Sequence, residues 1–172
     1  MAKKALFITV NDLKVKSIID GNVDADKLVQ HIEVAQDLHV QNYLGGKLYD
    51  KMQEIIISGD IDLPAYSNYK TLRDSYIKPM LVWFSQSVYL PFAQFQVDNG
   101  GVSKHRAENT DEVSYRDIDS MLSKINENAE FYTRRFLDYI CENNDLFPEY
   151  NQSQDGQMNP DKDGGNFTGW VL

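Results

Sequence analysis

Apolar residues recur at intervals of three and four along most of this chain, which is the spacing of one face of an α-helix. No heptad pattern and no internal repeat accompanies them. The pattern predicts a mainly α protein, a helical bundle of about four main helices. The predicted segments are a short helix over residues 9–17, helices from about Asp26 to Leu44 and from 47 to 57, and two long helices from about Asn68 to Val97 and from Ser114 to about Cys141.

Polar residues mark the predicted helix starts. Either Thr9 or Asn11 caps the first helix, and either Asp24 or Asp26 caps the second, because short polar side chains accept hydrogen bonds from the first turn. Ser114, with an acid three residues later, has the spacing of a capping box. In the second helix, the apolar stripe runs through Leu28, Ile32, Ala35, His39 and Tyr43, with Leu38 beside it.

Glycine and proline predict where these helices stop or bend. Gly45 and Gly46 should end the second helix, since glycine takes left-handed backbone at a helix end. The stretch "SGDIDLP" (58–64) should end the next one. Pro79 and Pro91 each remove a backbone hydrogen bond, so we expect the first long helix to kink near both.

Between the two long helices lies the polar segment "QVDNGGVSKHRAENTDEVSY" (96–115). A compact helical domain needs far fewer residues to turn its chain. The pattern predicts a projecting loop or a β-hairpin over residues 98–113, with turns at "NGG" or "HRAEN". We expect it to contact a neighbouring subunit or another partner through Asn99, Gly100, Gly101, Lys104, His105 and Arg106.

Three of those residues are basic, which raises the question of nucleic-acid binding. Lys104, His105 and Arg106 could contact phosphate, but acids flank them on both sides. A mixed-charge, solvated segment is therefore favoured over a specific nucleic-acid site. The whole chain also has a formal net charge of −9, which makes it a poor candidate for wrapping DNA.

Composition changes after about residue 150. Residues 1–150 are predicted to form the helical domain, and 151–172 an extended tail that docks on a partner. Positions 151–166 are dominated by glycine, asparagine and aspartate, which predicts flexibility when the tail is alone. The chain then closes with apolar anchors that should be buried against its own body or, preferably, a neighbouring subunit: Phe167, Trp170, Val171 and Leu172.

No pattern predicts an enzyme or a cofactor. His31 and His39 are eight residues apart on one helix, too far to share a metal ion, and nothing resembles a nucleophile elbow or a phosphate loop. Since His39 falls within an apolar stripe, we expect a half-buried, structural histidine. The single cysteine, Cys141, excludes an intrachain disulfide and fits a reducing compartment.

One apolar stretch, residues 77–97, is nearly long enough to span a bilayer. It carries a lysine, three glutamines and two prolines, which membrane-spanning segments avoid unless they line a cavity. We therefore interpret it as a buried central helix and predict no membrane partner.

Three stretches together resemble a known family: "LFITVNDLK" near the start, "IDGNVDADKLVQHIEVAQDLHVQNYLGGKLYDKM" (19–52) and "INENAEFYTRRFLDYICENNDLFPEY" (125–150). They are similar to phage head–tail connector (adaptor) proteins of the gp6-like type, in the version found in phages of Bacteroidetes, including crAss-like phages. The resemblance covers residues 5–150, and its most specific part is the order and spacing of "IDGNVD", "AQD" and "LGGKLYDKM".

The resemblance implies a structural virion protein at the head–tail junction, assembled in the cytoplasm of the bacterial host. Its implied partners are further copies of itself in a ring, with twelve expected from the symmetry of the portal, the portal protein and downstream tail proteins. DNA would only pass through the channel. No catalytic, metal or cofactor residues are implied. The alternative, on the residues alone, is a non-viral cytosolic helical adaptor that binds one partner.

Overall fold

The computed structural model describes residues 4–19, 21–93, 95–98, 101–104, 114–152 and 158–162, with no side-chain detail for 96–98 and 101–104. Over these residues the protein is mainly α and forms a helical bundle. The α-helices are α1 (Val10–Lys16), α2 (Ala25–Ala35), α3 (Gln41–Ser58), α4 (Ser67–Leu72), α5 (Lys78–Tyr89) and α6 (Tyr115–Glu142). Two short strands, β1 (Phe95–Asp98) and β2 (Gly101–Lys104), lie between α5 and α6.

Several of the predicted helix caps are confirmed. Thr9 caps α1 in a capping box with Asp12, and Asp24 caps α2 by accepting from the Asp26 N–H. The hydroxyl of Ser114 accepts from the Asp117 N–H at the start of α6. These caps satisfy N–H groups that have no partner within the helix.

The second predicted helix breaks at its expected end, and the next helix follows at once. A π turn, Gln36–Val40, joins α2 to α3, and the helix breaks at Gly45, where φ is 71° and ψ is 165°. The positive φ was expected, but the extended ψ is not that of a left-handed helix end. The chain resumes its helical path at once, and α3 ends at Gly59, which has left-handed backbone.

The first long helix is interrupted, and its predicted end at Val97 is wrong. Pro79 has no N–H to donate, and the turn before it, Arg73–Ile77, takes the wider π spacing. Around Pro91 the chain tightens to a 3-10 turn and leaves the helix. Phe95–Asp98 is therefore strand β1, which pairs antiparallel with β2.

The predicted projection over residues 98–113 stays a prediction. β2 begins three residues after β1 ends, and Asp98 pairs with Gly101 in the register. Residues 99, 100 and 105–113 lie outside the described part of the chain, so the outline of the segment does not follow from the two strands.

The core is formed where α5 packs against both α2 and α6. α6 has 28 residues and would be about 42 Å long. Its buried side chains begin at Ile125, and before that residue only Ile118 and Leu122 are half-buried. The fully enclosed apolar side chains come from most of the helices and the C-terminal turns: Leu28, Ile32, Leu44, Leu48, Met52, Leu72, Met80, Phe136, Ile140 and Phe147.

Two glutamines hold the extended segment that precedes α1. The carboxamide oxygen of the buried Gln36 accepts the Phe7 N–H at 2.8 Å, and its nitrogen donates to the Ala5 carbonyl at 3.0 Å and to the Tyr49 hydroxyl. Gln53 accepts the Ala5 N–H at 2.7 Å. These side chains replace the strand partner that the segment lacks within the described part of the chain.

None of the helices described is both long enough and apolar enough to cross a membrane. The apolar stretch examined for that reason, residues 77–97, is divided among α5, a 3-10 turn and β1.

Candidate protein-interaction site

A cleft opens beside the root of the two strands. It has a volume of about 340 Å³, and its walls come from α2 and from the chain between α5 and β1: Lys27, Gln30, His31, Tyr89, Phe92, Ala93 and Phe95. Two of its aromatic side chains face solvent, since Phe92 is 60% exposed and Phe95 is 37% exposed. Polar and aromatic side chains share its lining, and a cleft of this kind can hold a short peptide segment or a small molecule.

The floor of the cleft is aromatic and uncharged at neutral pH. The ring of His31 lies 5.9 Å from that of Phe92, nearly parallel to it, and meets Tyr89 edge-on at 5.3 Å. Burial lowers the pKa of His31 and raises the pKa of the Tyr89 hydroxyl. Both groups are therefore neutral near pH 7, and Lys27 supplies the charge at the margin.

A stripe of side chains that includes two exposed apolar residues leads away from this cleft along the helix. Lys27, His31, Val34, Leu38 and Asn42 are spaced by three or four residues, so they follow one side of α2, the π turn and the start of α3. Val34 is 43% exposed and Leu38 is 58% exposed. The other side of α2 is enclosed in the core through Leu28, Ile32 and Ala35.

At the far end of that stripe, the C-terminal segment lies against the break in α3. The Gly46 N–H donates to the Met158 carbonyl at 2.7 Å, and the Asp161 N–H donates to the Asn42 carbonyl at 2.9 Å. In an unbroken helix, the Gly46 N–H would instead donate to the carbonyl of Asn42, four residues earlier. The segment thus satisfies backbone groups that the break at Gly45 exposes.

Neighbouring contacts hold the same part of the chain. The Lys162 ammonium lies 5.0 Å from the centre of the buried Tyr150 ring, and it donates to the Asn151 side chain at 3.3 Å. Lys47 on α3 donates to Gln152. Residues 158–162, which composition predicts to be tether, are therefore placed on the bundle.

Three further apolar side chains are exposed on different sides of α6. Tyr115 is 64% exposed, Met121 is 40% exposed and Phe131 is 57% exposed. Ile118 and Leu122, which the sequence predicts on the core face, are only half-buried. The first turns of α6 are consequently covered less than their sequence pattern suggests.

The structure brings only part of the predicted site into view. Gly101 and Lys104 begin and end β2. The other predicted residues of the projecting segment lie outside the described residues: Asn99, Gly100, His105 and Arg106. The predicted tail anchors do so as well: Phe167, Trp170, Val171 and Leu172.

His39 has the environment expected for a structural histidine. It is half-buried, and its ring stacks on Phe84 with centroids 3.9 Å apart and planes 5° apart. Burial lowers the pKa of His39 to about 4. Across the described ranges, no three side chains of the types that ligate metals come together.

Residues 40–159 match DUF6712, described as a family of unknown function. The chain belongs to this family. The matched range of DUF6712 begins at the end of the π turn and ends one residue after Met158, so it includes both sides of the Gly46–Met158 hydrogen bond. No curated protein and no solved structure matches the chain.

The cleft and the tail contact of this DUF6712 chain were not predicted. The cleft depends on bringing α2 next to the turn after α5, about 60 residues later, which periodicity does not encode. Leu38 was predicted beside the core stripe, whereas the π turn that contains it changes the helical phase and leaves it exposed. One usable signal was the pair Gly45–Gly46, since adjacent glycines permit close backbone approach.

Proposed function

We propose that this DUF6712 protein is a structural virion protein of a tailed phage, a head–tail connector whose copies assemble as a ring beneath the portal. The proposal rests on exposed aromatic side chains of a helical bundle. In the sequence, they lie on either side of the segment between α5 and α6. Phe92 precedes that segment, Tyr115 follows it, and both are at least 60% exposed. The resemblance over residues 5–150 supplies the kind of assembly.

Exposed aromatic side chains favour protein contacts because they bury a large area with little loss of side-chain freedom. In a ring, each subunit presents two different surfaces to its two neighbours, so contacts need not be self-complementary. The exposed rings of Phe92, after α5, and Tyr115, at the start of α6, would belong to two such surfaces.

The segment over residues 98–113 is assigned to contacts outside its own subunit. In this proposal β1 and β2 form the base of a projecting hairpin, and the residues beyond them reach the portal, the lumen or the next subunit. An isolated two-stranded hairpin is only marginally stable in water, so a partner surface would be needed to order it.

The charge of the chain suits a DNA channel. A formal net charge of −9 repels DNA at long range, and a channel wall of like charge shortens the residence of passing DNA. The same charge argues against a DNA-binding role. Residues 163–172 would act as an apolar anchor in each subunit of the ring, with Phe167 and Trp170 as the buried side chains.

The test is coexpression with a cognate portal protein, followed by native mass spectrometry and negative-stain imaging. We expect a ring bound to the portal. A double variant, Phe92→Glu with Tyr115→Glu, should lower ring yield at least tenfold, because it places charges in contacts that exclude water. The control, Val15→Glu, changes an equally exposed side chain on α1 (73% exposed). A chain that stays monomeric and never joins the portal would overturn the proposal.

A non-viral helical adaptor is the second candidate, favoured by the same cleft if it serves one partner in the cell. Truncation after Lys162 distinguishes the connector from the adaptor. It removes residues 163–172 and keeps residues 158–162, which lie against α3. Loss of ring assembly supports the connector. Loss of a one-to-one complex recovered from the native host, with no ring under any condition, supports the adaptor.

A further inference from the structure

Residues 158–161 approach the helix in a direction that indicates where the chain goes next. Met158 is hydrogen-bonded to Gly46, and three residues later Asp161 is hydrogen-bonded to Asn42. The C-terminal segment therefore runs antiparallel to α3, from its interior towards its start. A chain that keeps this direction passes next over Leu38, then Val34, then His31.

That path is the stripe described above. Val34 and Leu38 are 43% and 58% exposed, although each belongs to a helix whose opposite side is enclosed. The stripe ends in the aromatic cleft that contains His31 and Phe92. Two neighbouring exposed apolar side chains that lead into a cleft favour coverage by another segment.

The chain beyond Lys162 has a matching pattern. It reads "DGGNFTGWVL" (163–172), a short polar and glycine-rich stretch followed by two aromatic and two aliphatic residues. The glycines let the backbone follow a helix surface closely. Phe167 and Trp170, three residues apart, then provide two large apolar side chains for a stripe and a cleft.

The lengths agree as well. Along the helix, Leu38 lies about 6 Å from Asn42, Val34 about 12 Å and His31 about 16 Å, at the rise of an α-helix. In an extended chain, Phe167 can be up to about 20 Å from Asp161, and Trp170 up to about 30 Å. Each reach exceeds the distance to be covered, so both aromatic side chains can arrive at their positions on the path.

We propose that residues 163–172 lie antiparallel along α2 of the same chain, with Phe167 on Val34 and Leu38 and with Trp170 in the cleft beside His31. The tail then covers the surface that would otherwise remain open in the isolated subunit. This assignment does not depend on ring assembly. A monomeric protein with its tail in place would refute the ring and leave this inference standing.

The test uses the full-length chain labelled with 5-fluorotryptophan. The chain has two tryptophans, Trp83 and Trp170, so two ¹⁹F signals are expected, and Trp170→Phe assigns them. We expect the Trp170 signal to be shifted from the position of an exposed indole. A double variant, Val34→Glu with Leu38→Glu, should return it to that position and leave the Trp83 signal unchanged.

The matched control is Val15→Glu with Ile57→Glu, which puts the same two charges at apolar positions 73% and 49% exposed elsewhere. It should leave the Trp170 signal shifted. A Trp170 signal at the exposed position in the native chain, or one that the Val34 and Leu38 changes do not move, would overturn the proposal.

A second measurement leaves the stripe intact and distinguishes the same chain from a second copy. A spin label on Asp26→Cys, an exposed position on α2 outside the cleft lining, in a Cys141→Ser chain, should broaden the Trp170 signal of its own molecule more than tenfold. In a second sample, chains that carry the spin label but no fluorine are mixed with fluorinated chains that carry no label. Broadening in this sample reports only contacts between copies. Broadening in that mixture, or none in the doubly labelled chain, would refute docking within one chain.

Discussion

Pro160 lies directly against Gly45. A methyl carbon added at the glycine would fall 2.7 Å from Cδ of Pro160 and 3.2 Å from the Met158 carbonyl oxygen. This contact joins a residue in the first third of the sequence to one near its end. It explains why the helix breaks there, since only glycine adopts this backbone and leaves room for the crossing chain.

Gly45→Ala should lower the free energy of unfolding by about 3 kcal/mol or more, from the backbone strain of positive φ with extended ψ and the clash with Pro160. Urea denaturation measures the change. Gly59→Ala separates the two causes, because Gly59 also has a positive φ but has nothing within 4 Å of the added carbon. We expect that variant to lower the free energy of unfolding by about 1 kcal/mol. Equal losses for the two variants would show that the Pro160 contact contributes nothing.

Gln36→Leu should destabilise the protein by about 2–3 kcal/mol, because it leaves the buried Phe7 N–H without its acceptor. Hydrogen exchange should show the largest loss of protection at Phe7, ahead of the amides of α1. Gln30→Leu, an exposed change on the same helix, should shift the free energy of unfolding by about 0.5 kcal/mol at most. Unchanged exchange at Phe7 in the Gln36 variant would contradict the role given to this side chain.

The stability of the protein should fall on acidification partly through His39. Its pKa in the folded state is lowered to about 4, whereas in the unfolded chain it is about 6.5. The unfolded state therefore binds a proton first, so this contribution is complete above about pH 6.5 and is lost as the pH falls towards 4. The full loss is about 3 kcal/mol.

The test is urea denaturation at pH 7 and pH 4.5 on the native chain and on His39→Phe, which keeps a ring against Phe84 but cannot titrate. The variant should lose less stability between the two pH values. Carboxyl groups with a lowered pKa, such as those of Asp12 and Asp74, act equally in both chains. Parallel losses would exclude His39 as a source of the pH dependence.

Ser114→Ala should loosen the start of α6 without unfolding the bundle. The cap is worth about 1 kcal/mol, and the first turns of α6 are covered by only two half-buried apolar side chains, Ile118 and Leu122. Hydrogen exchange should rise about fivefold for residues 118–122, with little change at 133–140. A uniform increase along α6 would mean that the helix opens as one unit.

The sequence predicted the elements whose signals are local. The cap residues Thr9, Asp24 and Ser114 act on N–H groups two or three positions away, and helical periodicity depends on neighbours within one turn. The end of α5 was missed for a related reason. Apolar residues at Phe95 and Val97 fit a helix as well as a strand, and Pro91 was interpreted as a kink where it marks the end.

By itself, the sequence determined a mainly α bundle, most of its helix starts, and the break at Gly45 and Gly46, because each depends on the conformational preferences of neighbouring residues. Only the tertiary structure decided that residues 158–162 lie against that break, that a π turn leaves Leu38 exposed, and that α2 and Phe92 enclose a cleft. These arrangements join positions 50 to 120 residues apart. Burial of apolar surface and the pairing of backbone N–H and C=O groups determine these arrangements. Neither can be predicted from a local sequence pattern.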